Sequence, residues 1–141
     1  MTSYLRNALT GIAAGALAAS IGPAFAAGDS NASKAVWDGH LQKVMTGNLD
    51  AVMTDFTEES TILTPDKNYI GTAEIRAYIG KFIGGLTPEA KKSMVMQTET
   101  PCGDLVFAKF TVGAAKRTFI YTAEVRNGKI ATITTANYPA E

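Results

Sequence analysis

Residues 47–79, GNLDAVMTDFTEESTILTPDKNYIGTAEIRAYI, carry the pattern from which the fold is read. Gly47-Asn48 closes a preceding helix, because glycine suits the left-handed residue just past a helix end. Leu49 to Phe56 then reads as a short second helix. Its Leu49, Val52, Met53 and Phe56 recur at spacings of three and four and share one face. Thr57 to Thr64 reads as a strand with β-branched Thr61 and Ile62 at its centre. Pro65-Asp66-Lys67-Asn68 is turn chemistry. Thr72 is placed to cap a third helix, with Glu74 at the positive end of its dipole. Ile75, Tyr78, Ile79, Phe82 and Ile83 form the apolar stripe of that helix, and Gly84-Gly85 stops it.

Upstream, a helix from about Ser33 to Thr46 places Trp37, Leu41, Val44 and Met45 on one face, with His40 among them. Downstream, the period changes from near 3.6 to 2. Met94, Met96 and Thr98 alternate with Val95, Gln97 and Glu99. Val106, Ala108, Phe110 and Val112 share one face of the next strand, and Arg117, Phe119, Tyr121, Ala123 and Val125 one face of the strand after it. Arg126-Asn127-Gly128 is a hairpin turn, and Ile130 to Asn137 is a last strand. Helices followed by an antiparallel meander make an α+β chain. The sequence contains no GxGxxG, P-loop or GxSxG.

The N-terminus reads as a secretory signal: Arg6, an Ala-rich apolar run from Ala8 to Ile21, a Gly22-Pro23 break and small residues in Ala24-Phe25-Ala26. The run is short and interrupted for a span of about 20 apolar residues. Cleavage is expected after Ala26, with a periplasmic or secreted destination. Residues 27–32 are polar and read as a flexible linker, and residues 33–141 as one domain. With one cysteine, Cys102, and one histidine, His40, an intramolecular disulfide and a Cys/His metal cluster are both excluded. No metal and no cofactor are expected. Thirteen basic residues balance 13 acidic ones, and no basic run exists. Nucleic-acid partners are therefore not expected, nor membrane association once the signal is removed. Both faces of the late strands carry apolar groups: Val106 and Phe110 lie against Leu105 and Phe107, and Phe119 opposite Ile120. A single sheet face can be buried by the helices, so a homodimer through the other face is expected.

The succession Gly47-Asn48-Leu49-Asp50-Ala51-Val52, Phe56 with Glu58-Glu59, a strand ending before Pro65, and Tyr69-Ile70-Gly71 before a helix resembles the NTF2-like superfamily. Within it, the SnoaL-like and ketosteroid-isomerase-like branches are the most similar. A looser match covers residues 117–137. The resemblance implies a cone: about three N-terminal helices packed on a curved, mostly antiparallel sheet that encloses a pocket. It does not imply one activity, because the fold hosts isomerases, cyclases, dehydratases, hydrolases and noncatalytic binders. Ketosteroid isomerases combine a carboxylate base at the end of the first strand with a tyrosine on the first helix and a protonated aspartate on a late strand. Ungapped alignment from Gly47 places Thr64 at the base position and His40 at the tyrosine position, and the late aspartate falls within about a residue of Tyr121. None of the three residue types carries over, and a threonine hydroxyl cannot take a proton from carbon near neutral pH.

His40 and Tyr121 are the candidate catalytic residues, as acid/base and oxyanion donor. Trp37, Thr64, Tyr69, Tyr78, Phe82, Phe119 and Asn137 are the candidate pocket residues. Each has a plainer reading beside it. His40 could be a core histidine with one partner, Tyr121 a packed aromatic, Thr64 the donor of a local turn bond, and the other aromatics ordinary core. Asp55, after a short helix, reads as a solvated charge. Glu58 and Glu59 point to opposite sides of a strand, and Lys91-Lys92 is a solvated strand start. Two functions follow: an exported domain whose pocket binds a small, largely apolar ligand, or a SnoaL-like enzyme of isomerase, cyclase or dehydratase type using His40 and Tyr121.

Overall fold

The computed structural model describes residues 28–140, and the expected signal segment 1–26 lies outside the described residues. The element order is α1 (Ser30–Thr46), α2 (Leu49–Met53), β1 (Thr61–Leu63), β2 (Asn68–Ile70), α3 (Gly71–Gly85), α4 (Pro88–Lys92), β3 (Met94–Cys102), β4 (Leu105–Val112), β5 (Arg117–Arg126) and β6 (Lys129–Pro139). Six strands of the described residues form one sheet in the order β2-β1-β6-β5-β4-β3. Only β1 against β6 is parallel; the other pairs are antiparallel. The α+β class and the helices-then-meander order expected from the sequence are present.

Local chemistry accounts for the elements. Asp29 caps α1, accepting from Asn31 N–H at 2.9 Å, so the expected linker is already helical from Ser30. Gly47 ends α1 at φ 79°, the left-handed conformation that glycine adopts without a steric penalty. Asn48 caps α2 through Ala51 N–H. That helix stops at Met53, not at Phe56. The expected strand start at Thr57 is instead a turn, because Ser60 Oγ accepts from Thr57 N–H at 2.9 Å and donates to Ile130 O at 2.7 Å. Thr72 does not cap α3. The helix begins at Gly71, and its start is held by acidic side chains: Glu58 Oε2 accepts from Thr72 N–H at 3.4 Å, and Glu74 Oε2 from Ile70 N–H at 3.2 Å. Glu58 is thus a capping group that suits the positive helix end.

Two elements have no counterpart among those expected from the sequence. β2 is a three-residue edge strand antiparallel to β1. α4 is capped by Thr87, which accepts from Ala90 N–H at 3.1 Å, with Pro88 in its first turn. Lys91 and Lys92 therefore end a helix and do not start a strand. The β5–β6 hairpin turns at Asn127 and Gly128, both at positive φ (52° and 70°), as the two-residue hairpin turn with positive φ at both positions requires. Register shifts between Met96 and Thr98 and between Glu124 and Val125 bend the sheet, as bulges do.

The curved sheet carries α1 and α3 on its inner face. Val106, Ala108, Ala123 and Ile130 from the strands meet Trp37, Val52, Ile62 and Ile75 in the main core. Ala108 and Ala123 are fully buried, and their small side chains leave the space that large groups of α1 fill. The outer face keeps Val95, Leu105, Phe107 and Tyr138 exposed. No helix among the described residues is long and apolar enough to cross a membrane.

Candidate functional site

A cavity of about 260 Å³ lies between α1, α3 and the concave sheet face. α1 supplies Trp37, His40, Leu41, Val44 and Met45, and α3 supplies Tyr78, Ile79 and Phe82. The sheet supplies Ile62, Met94, Met96, Phe110, Tyr121, Ile133 and Thr135. These positions follow from the two periods read in the sequence: the apolar stripes of the helices and the inward set of each strand. The wall is almost wholly apolar, so each polar group in it stands out.

His40 is 4% exposed. Its ring stacks on Trp37, with centroids 5.7 Å apart, and meets Phe56 edge-on at 5.4 Å. His40 Nδ1 lies 3.0 Å from Asp55 Oδ2, and the other Asp55 oxygen is held by Lys43. Asp55 is 8% exposed. It is not the solvated charge expected from its place after a short helix. Its backbone is fixed across the fold: Asp55 O accepts from Ile130 N–H at 2.8 Å, and Lys129 Nζ caps Thr54 O at 2.7 Å. Burial opposes the charged carboxylate, but hydrogen bonds from His40 and Lys43 outweigh it and hold Asp55 below the usual carboxylate range. An ionised carboxylate only accepts, so His40 Nδ1 carries the proton of this bond. Nε2 is then the nitrogen available to the cavity. A histidine oriented by a buried carboxylate in this way is suited to accept or donate a proton.

Tyr121 stacks on Phe110 with centroids 5.2 Å apart and tilts against Trp37 at 5.9 Å. Its cross-strand neighbour is Thr135. Burial pushes the Tyr121 phenol far above its usual range, a hydrogen bond with Thr135 pulls the other way, and Tyr78 adds to the rise. The hydroxyl therefore stays protonated and can serve as a donor, not as a base. Tyr78 is raised by burial and by Tyr69.

The candidates fall into three groups. Trp37, His40, Tyr78, Phe82 and Tyr121 line the cavity together. Tyr69 and Phe119 do not; they line a separate outer cleft with Tyr78, Phe82, Lys81 and Leu86. Tyr69 packs on Tyr78 at 4.5 Å and Phe119 on Phe82 at 6.4 Å. Thr64 and Asn137 line neither cavity. The Thr64 hydroxyl donates to Lys67 O at 2.7 Å and accepts from Lys67 N–H at 3.0 Å, closing the β1–β2 turn. Asn137, opposite Phe119, is exposed near the end of β6. Asp55 was missed because its partner lies 15 residues away and no local period marks it. The available signal was its position between apolar Met53 and Phe56, both buried. Among the described residues, no group of three or more acidic, histidine or cysteine side chains could hold a metal ion.

No family model and no curated protein matches this sequence. Solved structures do match its fold. An NTF2-like protein of unknown function from Cytophaga hutchinsonii is 14% identical, with a TM-score of 0.60 over 76% of this chain and 90% of that one. A candidate ketosteroid isomerase from Kribbella flavida is 14% identical, with a TM-score of 0.62 over 81% and 83% of the two chains. A de novo designed protein with a curved β-sheet is 16% identical, with a TM-score of 0.64 over 76% and 85%. The fold is therefore NTF2-like. At these identities the likeness establishes the fold alone, and a fold by itself does not specify an activity.

Proposed function

We propose that the cavity binds a small, largely apolar molecule bearing an oxygen function, and that His40, oriented by Asp55, exchanges a proton with it. The observation that carries this reading is His40 in the wall of a largely apolar cavity, with buried Asp55 held behind it at 3.0 Å. A cavity near 150 Å³ takes benzene. By proportion, 260 Å³ admits about ten non-hydrogen atoms, the size of a substituted monocycle or a small bicycle. Export to the periplasm or beyond, expected from residues 1–26, is part of the same proposal.

A cyclic ketone of this size tests the chemistry without knowledge of the natural substrate. His40 Nε2 removes a proton from the carbon beside the carbonyl. The C–H electron pair moves into the ring as the carbonyl pair moves to oxygen, giving an enolate. The imidazolium exchanges its proton with solvent and returns a deuteron to carbon. Proton NMR of indanone in heavy water follows the loss of α-hydrogen signal. Wild-type protein should accelerate exchange by about 10²–10⁴-fold over His40→Gln, the usual contribution of a positioned acid/base group. Equal rates would overturn the proton-transfer claim. A second reading, a binder without chemistry, is favoured by the absence of any carboxylate among the residues lining this cavity. Binding of indanone without exchange is its signature.

A further inference from the structure

We propose that Thr135 is a positioning residue: its hydroxyl donates to the Tyr121 phenol oxygen and so turns the Tyr121 O–H into the cavity, onto the acceptor oxygen of the bound molecule. This rests on the small-molecule reading above and adds which group the ligand carries and where it is held. Tyr121 and Thr135 are cross-strand partners on β5 and β6, and both form part of the cavity wall. Protein surrounds the Tyr121 phenol, yet the residue keeps accessible surface. Phe110 and Trp37 cover its ring, so what stays open to the cavity is the hydroxyl edge. Among the described residues, the polar side-chain atoms both sealed off and unpartnered are Trp37 Nε1 and Glu99 Oε1. The hydroxyl oxygens of Tyr121 and Thr135 are not among them.

Valine has the shape of threonine and would fill the apolar wall beside Ile133 without burying a polar group. The Thr135 hydroxyl, on a residue 6% exposed, therefore calls for a partner. Tyr121 supplies it: Thr135 works against burial in its effect on the phenol, as a donor to the phenol oxygen does. With that donor in place, the Tyr121 proton points away from Thr135. Tyr78, on α3, acts on the phenol through charge and not through a hydrogen bond. The acceptor for the Tyr121 O–H is then the ligand. Trp37 spaces the two ends of the site, with the His40 ring 5.7 Å and the Tyr121 ring 5.9 Å from the indole. A molecule lying along the indole presents its oxygen to Tyr121 and its adjacent carbon toward His40. The ligand class is a compact apolar skeleton with one acceptor oxygen, a ketone or lactone, and its hydrocarbon isostere is selected against.

Binding of indanone and, separately, of indane is measured by calorimetry for the wild type, Thr135→Val, Thr135→Ser, Tyr121→Phe and the double variant Thr135→Val/Tyr121→Phe. The indanone-to-indane affinity ratio should fall about tenfold in Tyr121→Phe, the loss of one ordinary hydrogen bond. Thr135→Val should lose most of the same factor, and Thr135→Ser should keep the wild-type ratio. In the Tyr121→Phe background, Thr135→Val should change nothing further. Indane affinity should stay nearly constant throughout. Equal losses of indanone and indane affinity in Thr135→Val, the mark of a merely structural threonine, would overturn the proposal. A ratio that Thr135→Val lowers equally with and without Tyr121 would overturn it too, by placing the ligand oxygen on Thr135 itself. An unchanged ratio in Tyr121→Phe would overturn the inference and leave the pocket reading standing. Failure of both ligands to bind the wild type would overturn the pocket reading and this inference together. Should Thr135→Val fail to fold, Thr135→Ala takes its place in the same comparison.

Discussion

Replacing Asp55 by asparagine tests whether the buried carboxylate is ionised and does the work assigned to it. The side-chain amide keeps the shape of the carboxylate but loses the charge that both His40 and Lys43 use. A hydrogen bond to a charged group contributes about 1.5–3 kcal/mol, and the His40 bond is of this kind and buried. The Lys43 contact contributes less, because that side chain is 34% exposed and solvent screens it to about 1 kcal/mol or below. Relief of the carboxylate's desolvation subtracts from both. The net expectation is a loss of about 2 kcal/mol at neutral pH, read by urea unfolding followed by circular dichroism. The pH dependence has a definite sign. Asp55 titrates lower in the folded protein than in the unfolded chain. Its contribution is therefore fully present above the unfolded value of about 3.9 and is lost as pH falls through the folded value. The stability gap between wild type and Asp55→Asn should thus close on acidification below about pH 4. A gap under about 0.5 kcal/mol at neutral pH, within the range of ordinary surface substitutions, would refute the reasoning, as would a gap that persists undiminished in acid.

Ser60 is fully buried and bridges Thr57 to Ile130; Ser60→Ala should cost about 1–3 kcal/mol in the same unfolding assay, and a neutral result would contradict the bridge. The exposed outer-face residues Val95, Leu105, Phe107 and Tyr138 motivate a homodimer through the sheet. Light scattering at micromolar concentration should give twice the chain mass, and Phe107→Lys a monomer; a wild-type monomer ends this proposal. Turnover of a β,γ-unsaturated ketosteroid should be absent, because Thr64 is bound into a turn outside the cavity and a four-ring skeleton exceeds about ten non-hydrogen atoms. Turnover at an ordinary enzymatic rate would contradict both points.

The long amphipathic helices and the two-residue periods of β3 to β6 were legible in the sequence because each face meets one environment along its whole length. The Asn127-Gly128 turn was legible because few residues adopt positive φ twice in succession. Elements set by single capping contacts were harder. α4 carries a Thr-Pro-Glu signature at its start, yet the helix is only five residues long from Pro88, too few for a periodic pattern. β2 is an edge strand of three residues, specified by its pairing with β1 more than by its own composition. Trp37, His40, Tyr78, Phe82 and Tyr121 line the cavity because they occupy inward faces of regular elements. The buried position of Asp55 was not legible, since a loop residue's burial depends on what packs over it, here His40 and the start of β6. Thr64 and Asn137 line neither cavity: the first is bound into the β1–β2 turn, and the second lies exposed near the end of β6.

His40 faces Asp55 through Nδ1 and, as proposed, the bound molecule through Nε2. Because the chain has one histidine, nitrogen NMR of the imidazole reads both atoms without ambiguity. Before ligand addition, Nδ1 should show the shift of a nitrogen that carries a proton, the one shared with Asp55. Saturation with naphthol, whose hydroxyl can donate to Nε2, should move the Nε2 resonance strongly and leave Nδ1 nearly unchanged. A bare Nδ1 in the free protein, or an Nε2 that does not respond to naphthol demonstrably bound in the cavity, would contradict the account.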